Sequence, residues 1–310
     1  MIKTIREDLI FQKDWAGKGE RGLRDQMLMP AIFFGAISPG LYLSSLFTDF
    51  IAGLWASIFL NIFGYGVTHL LYLGKMERFW RGLFNIRQSW ISRGLLFNIL
   101  FTITSTLYLV ITGFTAVSDT SSIVLTLKWA SILSGILFLA YPGFMLSFVK
   151  AIPFWHSAVE PALFFLQGLL GGTAMELLLG VLYGGLDTTA WNALIKVNYI
   201  LLLAVLIIIL SALIVKALHT EAERASVRYL LGMHPDPERA RDGALFLYGA
   251  LISGLIFPLC VIGFQIIVSK TAPVLLYFAL TVELVGIYFA KYGFIRAGAY
   301  TPVSKGQLRP

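Results

Sequence analysis

Thiol chemistry is all but absent from this chain: Cys260 is the only cysteine in 310 residues, and it sits inside an apolar run. A lone cysteine closes no disulfide within the chain and holds neither an iron–sulfur cluster nor a structural zinc, so any such cluster belongs to a partner. Charge is nearly as scarce. Asp, Glu, Lys and Arg make up 13% of the residues, against roughly 25% in soluble domains. Of the four histidines, His69 lies within a long apolar stretch, while His156, His219 and His234 fall in or beside polar loops. That distribution argues against a membrane haem held between two facing histidines. A Gly-rich phosphate loop, a His/Glu metal cluster and a Ser-His-Asp set are also missing, as are short repeats and low-complexity segments. Redox work by such a chain requires a freely binding organic carrier.

What is abundant is apolar sequence, 57% of the chain. A bilayer core needs about 20 apolar residues per helix, and eight windows reach that length: 27–50, 51–73, 92–117, 122–149, 157–185, 190–216, 243–268 and 272–295. The expected fold is an all-α integral membrane protein with eight transmembrane helices in two four-helix bundles and both termini on one side. Residues 1–26 read as a surface-exposed N-terminal segment, 27–297 as the transmembrane domain and 298–310 as a C-terminal tail. The first 26 residues alternate charges and have no apolar h-region, so a signal peptide is not expected there. Eight crossings put the termini on the same side as loops 74–91, 150–156 and 217–242. Of the 24 Lys and Arg, only Lys270 falls in the opposite short loops, where Asp49, Asp119 and Asp187 lie. The positive-inside rule then places termini and basic loops in the cytoplasm, in a prokaryotic cytoplasmic (inner) membrane; a docking face for a soluble subunit would also be basic. Lipid surrounds such a chain, and no nucleic-acid partner is expected.

Residues 216–242 mix five basic and five acidic side chains and predict a solvated helix ending at the His234-Pro235 turn. Small residues recur within the spans, as in "LQGLLGGTAM" and "LYGALISG", and suit close packing of helix backbones. Ionisable residues inside the spans are few: His69, Lys128, Glu160, Glu176, Lys196, Glu283 and Lys291. Charge at membrane depth costs at least ~2.5–3.5 kcal/mol near a helix centre, so such groups face a bundle interior or a cavity. Lys128, Lys196 and Lys291 lie close enough to span ends to snorkel, and Glu160 is within a turn of a boundary. Glu176 and Glu283 are deeper, candidates for proton transfer or for a structural hydrogen bond between helices.

A quinone is the obvious lipid-soluble carrier, and its headgroup needs a donor at each carbonyl and apolar or aromatic walls. "THLLYLGKMERFW" places His69 and Tyr72 on one helical face near the basic end, and Tyr141 lies about two turns inside the same boundary. Read alone, Tyr72 is equally an interfacial belt residue and His69 a satisfied core histidine.

Three stretches together, "LGKMERFWRGLFNIRQSWISRG", "YPGFMLSFVKAIPFW" and "ELVGIYFAKYGF", resemble the NrfD/PsrC (polysulfide reductase membrane subunit) family, related to the DMSO reductase membrane anchor. The resemblance implies a haem-free, metal-free membrane subunit that exchanges electrons between a menaquinone or ubiquinone pool and a four-cluster iron–sulfur subunit, which serves a molybdenum or tungsten catalytic subunit. The family's His-Leu-Gly-Arg-Pro stands here as Tyr72, Leu73, Gly74, Lys75 and Met76, so Tyr72 replaces the histidine and His69 is a substitute one turn earlier. Tyr141 matches the tyrosine of the family's Tyr-x-Gly motif, which lines the quinone pocket in relatives. The expected quinone site is thus Tyr141, His69, Tyr72 and Ser38, with Tyr141, His69 and Tyr72 doing the chemistry. The segment from Glu77 to Gly94 is expected to cap that site and dock the iron–sulfur subunit through Arg78, Arg81, Arg87, Arg93, Trp80 and Trp90. A secondary transporter using Glu176 and Glu283, with a break at "ISPG" in the first span, is the alternative from another class. A passive anchor without quinone chemistry is the third.

Overall fold

The computed structural model describes residues 10–11, 23–73, 75–115, 118, 120–268 and 273–300. Most of the expected N-terminal segment and C-terminal tail, and the positions of Gly74, Asp119 and Lys270, lie outside the described residues. Eight helices are long and apolar enough to cross a membrane. They are α1 (Leu23–Phe47), α2 (Ile51–Leu73), α3 (Trp90–Phe114), α4 (Ser122–Ser147), α5 (Val159–Tyr183), α6 (Thr188–Leu218), α8 (Pro237–Val268) and α9 (Pro273–Arg296). A shorter helix, α7 (Glu221–Leu230), lies between α6 and α8. The chain is a multi-pass membrane protein. Near its ends, β1 (Ile10–Phe11) pairs antiparallel with β2 (Ala299–Tyr300).

Local chemistry sets the helix ends. Ser89, Ser121 and Asp187 accept hydrogen bonds from the first-turn amides of α3, α4 and α6, satisfying donors that the helix itself leaves open. Pro237 follows the Asp236 cap of α8, where a missing N–H costs nothing. At the end of α5 the chain turns through Gly184 (φ +68°) and Gly185 (φ +89°), conformations a side chain would strain.

Helix α1 is the central strut, packed against α2, α4, α5 and α9; α3 packs mainly on α4, and α8 on α9. Glycines set the closest approach. A Cβ on Gly40 would lie 2.0 Å from the Gly168 carbonyl oxygen, and one on Gly172 would lie 2.1 Å from the carbonyl carbon of Gly40. Backbone therefore rests on backbone where α1 crosses α5, as small residues allow in membranes. Gly254 and Gly286 do the same for α8 and α9.

Three expectations need correction. The "ISPG" stretch is not a break, because α1 runs unbroken through Pro30 and Pro39, as transmembrane helices packed among neighbours tolerate. The segment after α6 is not a solvated helix reaching His234. It stops at Leu230, turns at Gly232 (φ +70°), and buries Ala222, Ala225, Val227, Tyr229 and Leu230, because an amphipathic face must be covered. Lys291 does not snorkel: it is fully buried, with its Nζ 4.2 Å from the centre of the Phe164 ring. Glu160 does lie in the first turn of α5, as expected, and is fully buried there with an oxygen 2.7 Å from Lys216 Nζ.

Candidate functional site

Helix α2 is not a uniform α-helix. Leu60–Gly66 winds as a π-helix before the α pattern resumes at Val67. Such wider turns shift the register of a face and gather at functional sites. Here the inward residues are Asn61 and Tyr65, and the Tyr65 ring stacks on that of His69 at 5.2 Å and 20°. Tyr65 makes an edge contact with Phe138 at 5.1 Å, and Phe138 stacks on Tyr141 at 5.7 Å and 11°. The hydroxyls of Tyr65 and Tyr141 are 3.5 Å apart.

Two glycines make room for the two phenols. A Cβ on Gly35 of α1 would meet the Tyr65 ring at 2.8 Å, and one on Gly94 of α3 would meet the Tyr141 ring at 2.3 Å. Each phenol ring thus lies flush against a neighbouring backbone, and both tyrosines line the same cavity.

That cavity has a volume of about 440 Å³. Its wall includes Tyr65, His69, Asn98 and Tyr141, together with apolar Leu70, Leu73, Ile91, Leu95 and Ile99. The mouth is formed by Lys75, Arg78, Phe79 and Gly82, from the stretch that winds into a tight 3-10 helix over Met76–Asn85. A few polar residues stand among apolar walls, the pattern of a small-molecule site.

Behind the wall is a polar knot. Asn98 Nδ2 donates to Asn61 Oδ1 (2.9 Å), Ser38 Oγ donates to the same oxygen (3.3 Å), and Asn61 Nδ2 donates to Thr102 Oγ1 (2.7 Å). Such a buried network fixes Asn98 in place.

Of the expected site residues, His69 and Tyr141 line the cavity. Tyr72 does not: it follows His69 by three residues and faces about 60° away on the helix, its ring 6.4 Å from the imidazole. Ser38 is fully buried behind the wall, joined to the cavity through Asn61 and Asn98. Tyr65 and Asn98 are the residues sequence reasoning missed. The signal for Tyr65 was present, one turn before His69 on the same face, but a tyrosine in an apolar run reads first as packing.

The capping stretch divides the expected docking residues. Arg78, Arg81, Arg87 and Trp80 are exposed. Arg93 is committed to its own loop, donating from Nε to the Ile86 carbonyl (2.9 Å) and from Nη2 to the Arg87 carbonyl (2.7 Å), and lying 4.6 Å above Trp90. Trp90 in turn stacks on Phe144 at 4.9 Å, so these two residues clamp the cap to α4.

The polysulphide reductase, NrfD family model matches residues 25–303, nearly the whole chain. The chain belongs to the NrfD family. Members of this family are membrane subunits of oxidoreductase complexes, which makes the chain a membrane anchor subunit of that type. No curated protein matches it. In this NrfD chain, Glu176 and Glu283 stand apart from the cavity. Glu176 accepts a hydrogen bond from Thr48 at the far end of α1, and Glu283 one from Asn198 Nδ2 at 2.9 Å.

Proposed function

We propose that this NrfD chain exchanges electrons between a membrane quinone, menaquinone or ubiquinone, and a four-cluster iron–sulfur subunit that serves a molybdenum or tungsten catalytic subunit. The observation that carries this reading is the cavity itself, whose lining brings two tyrosines, a histidine and an asparagine together with apolar side chains at the basic end of α2. Donors at separated points and flat ring walls fit a quinone headgroup, while Leu70, Leu73, Leu95 and Ile99 suit the start of an isoprenoid tail.

The quinone supplies two-electron, two-proton redox chemistry when bound. The chain's part is to bind, orient and handle protons. Tyr141 Oη donates to one headgroup oxygen, and His69 holds or accepts the proton at the other. Tyr65, in hydroxyl contact with Tyr141, fixes the rotor of that phenol and gives its proton a next acceptor. Asn98, immobilised by Asn61, sets the headgroup's position along the wall. Arg78 and Lys75 at the mouth favour an acidic partner surface over the site, and Arg81, Arg87 and Trp80 extend that docking face.

In this reading α1–α4 form the quinone-binding bundle and α5–α9 the second. Eight crossings return the chain to the side on which it began, and the pairing of Ile10–Phe11 with Ala299–Tyr300 supports termini sharing that side. The surplus of Lys and Arg favours the cytoplasmic side for the termini, the cap and the partner subunits.

The test is purification of the chain with its bound proteins and lipid from native membranes. A cluster protein and near-stoichiometric quinone are expected. Tyr141→Phe should lower quinone turnover at least tenfold with assembly and artificial-donor activity intact. Wild-type preparations free of quinone, or unchanged quinone kinetics in Tyr141→Phe, would overturn the assignment.

A further inference from the structure

The polar knot behind the cavity has a direction, set by a group whose role is fixed. On α3, Thr102 Oγ1 donates to the backbone carbonyl of Asn98 (2.8 Å), one turn back. A carbonyl oxygen only accepts, so the single hydroxyl hydrogen of Thr102 is spent there. Toward Asn61, in the π turns of α2, Thr102 is left as an acceptor, and Asn61 turns its Nδ2 to it (2.7 Å). A planar amide that points its nitrogen one way points its oxygen the other. Asn61 Oδ1 accordingly takes hydrogen bonds from Ser38 Oγ (3.3 Å) and from Asn98 Nδ2 (2.9 Å). Each orientation follows from the one before it, back to a carbonyl in the α3 backbone. Ser38 and Asn61 are buried, so turning either amide over strands a buried group at a cost of about 1–3 kcal/mol.

Asn98 ends this chain and lines the cavity. One of its two N–H groups is spent on Asn61, while nothing among the described residues donates to its Oδ1. Unlike Asn198 Oδ1, that oxygen is not sealed in by its neighbours. The phenols have little to give in return. At 3.5 Å the Tyr65 and Tyr141 hydroxyls share a hydrogen bond that uses one of their two hydrogens, leaving one for a ligand.

We infer that the Thr102–Asn61–Asn98 chain makes the cavity selective for the reduced form of its carrier. The inference rests on the quinone reading of that cavity and adds which redox form it holds more tightly. A quinol hydroxyl donates to Asn98 Oδ1, whereas a quinone carbonyl in the same place sets lone pair against lone pair and leaves the amide oxygen unpaired. Tighter binding of the quinol raises the potential of the bound couple, by about 30 mV for a tenfold preference in a two-electron couple. Asn98 determines the specificity, and Thr102 and Asn61 are positioning residues that act through it.

The test is equilibrium dialysis of the full chain in detergent under argon, with empty micelles as the blank. The probes are decylubiquinone, dimethylnaphthoquinone and the quinol of each. A single cysteine holds no cluster, so the chain alone binds these ligands without turning them over. Wild type should hold each quinol about tenfold more tightly than its quinone, the worth of one hydrogen bond. Asn98→Leu should remove the preference by weakening the quinol alone. Thr102→Val, outside the cavity lining, frees Asn61 to turn and should shrink the preference to about threefold or less, with quinone affinity held within about twofold. Thr102→Ser keeps the hydroxyl and should keep the preference. A merely structural role would weaken both forms together. Equal affinities in wild type, an undiminished preference in both Asn98→Leu and Thr102→Val, or parallel loss of both forms in the two variants overturns the inference and leaves a quinone site standing. Binding of neither form by wild type overturns the quinone reading, and the inference with it.

Discussion

At the scale of single residues, the cavity depends on groups of unequal kind. Tyr141 and His69 face the space directly, while Tyr65 is at once a wall and a hydroxyl partner. Tyr65→Phe keeps the stack on His69 and the edge on Phe138 but deletes the 3.5 Å hydroxyl contact. A net hydrogen bond is worth about 1 kcal/mol, and losing the one that orients the Tyr141 phenol should lower quinone affinity in a titration by roughly fivefold to tenfold, with only a small fall in the protein's melting temperature. The buried ion pair behaves differently. Glu160→Leu alone leaves Lys216 buried without its counter-ion, held only by the Phe154 carbonyl and ring, a loss of about 3–5 kcal/mol, which should appear as poor membrane accumulation. Adding Lys216→Met should restore accumulation, because two packed apolar groups replace two desolvated charges.

At the scale of elements, glycines decide what the helices can present. Gly94→Val puts a branched side chain where α3 touches the Tyr141 ring, and so should displace that phenol. Quinone KM should rise by an order of magnitude while electron transfer from an artificial donor persists. The α7 cap is a separate case outside the membrane. Burial works to raise the Glu223 carboxyl, but hydrogen bonds from the Thr220 hydroxyl and amide and from His219 outweigh it and hold the carboxyl below its ordinary range. A depressed carboxyl contributes stability that is fully present above the unfolded value near pH 4.3 and is lost as pH falls through the lower folded value. Thr220→Ala should therefore cost about 1 kcal/mol at neutral pH, a difference that narrows in acid denaturation curves.

The elements themselves were legible in the sequence, because runs of twenty apolar residues have few other solutions. The windows fell within a few residues of the helices except before α8, where Pro237–Val268 extends back through a polar first turn that hydropathy discounts. Tyr141 was legible through its Tyr-Pro-Gly context and His69 through its rarity. Tyr65 and Asn98 were not, since neither is unusual in a membrane helix. Their relation to the cavity arises from the π turns at Leu60–Gly66 and from cross-helix contacts. Lys291 was misplaced for a similar reason: nearness to a helix end in sequence does not show whether neighbouring helices cover that end.

At the scale of the whole molecule, α1 and α5 cross where Gly40, Gly168 and Gly172 bring backbones into contact. Gly172→Leu cannot be accommodated there without separating the helices, and overpacking of this kind costs about 1–3 kcal/mol or more. Loss of the folded species in detergent size-exclusion profiles is the expected outcome. Helices α2, α3 and α4 carry a cavity under a basic, aromatic cap, and α5, α6 and α9 carry buried ionisable side chains. The most direct measurement of the central claim is photolabelling of the purified chain with an azido-quinone, followed by peptide mapping. Label competed away by excess quinone is predicted in the stretches around His69, Phe79, Leu95 and Tyr141, and to be lost in Tyr141→Phe. Label that is not competed, or that is scattered over the lipid-facing surfaces of α3, α6 and α8, would contradict a quinone site in this cavity.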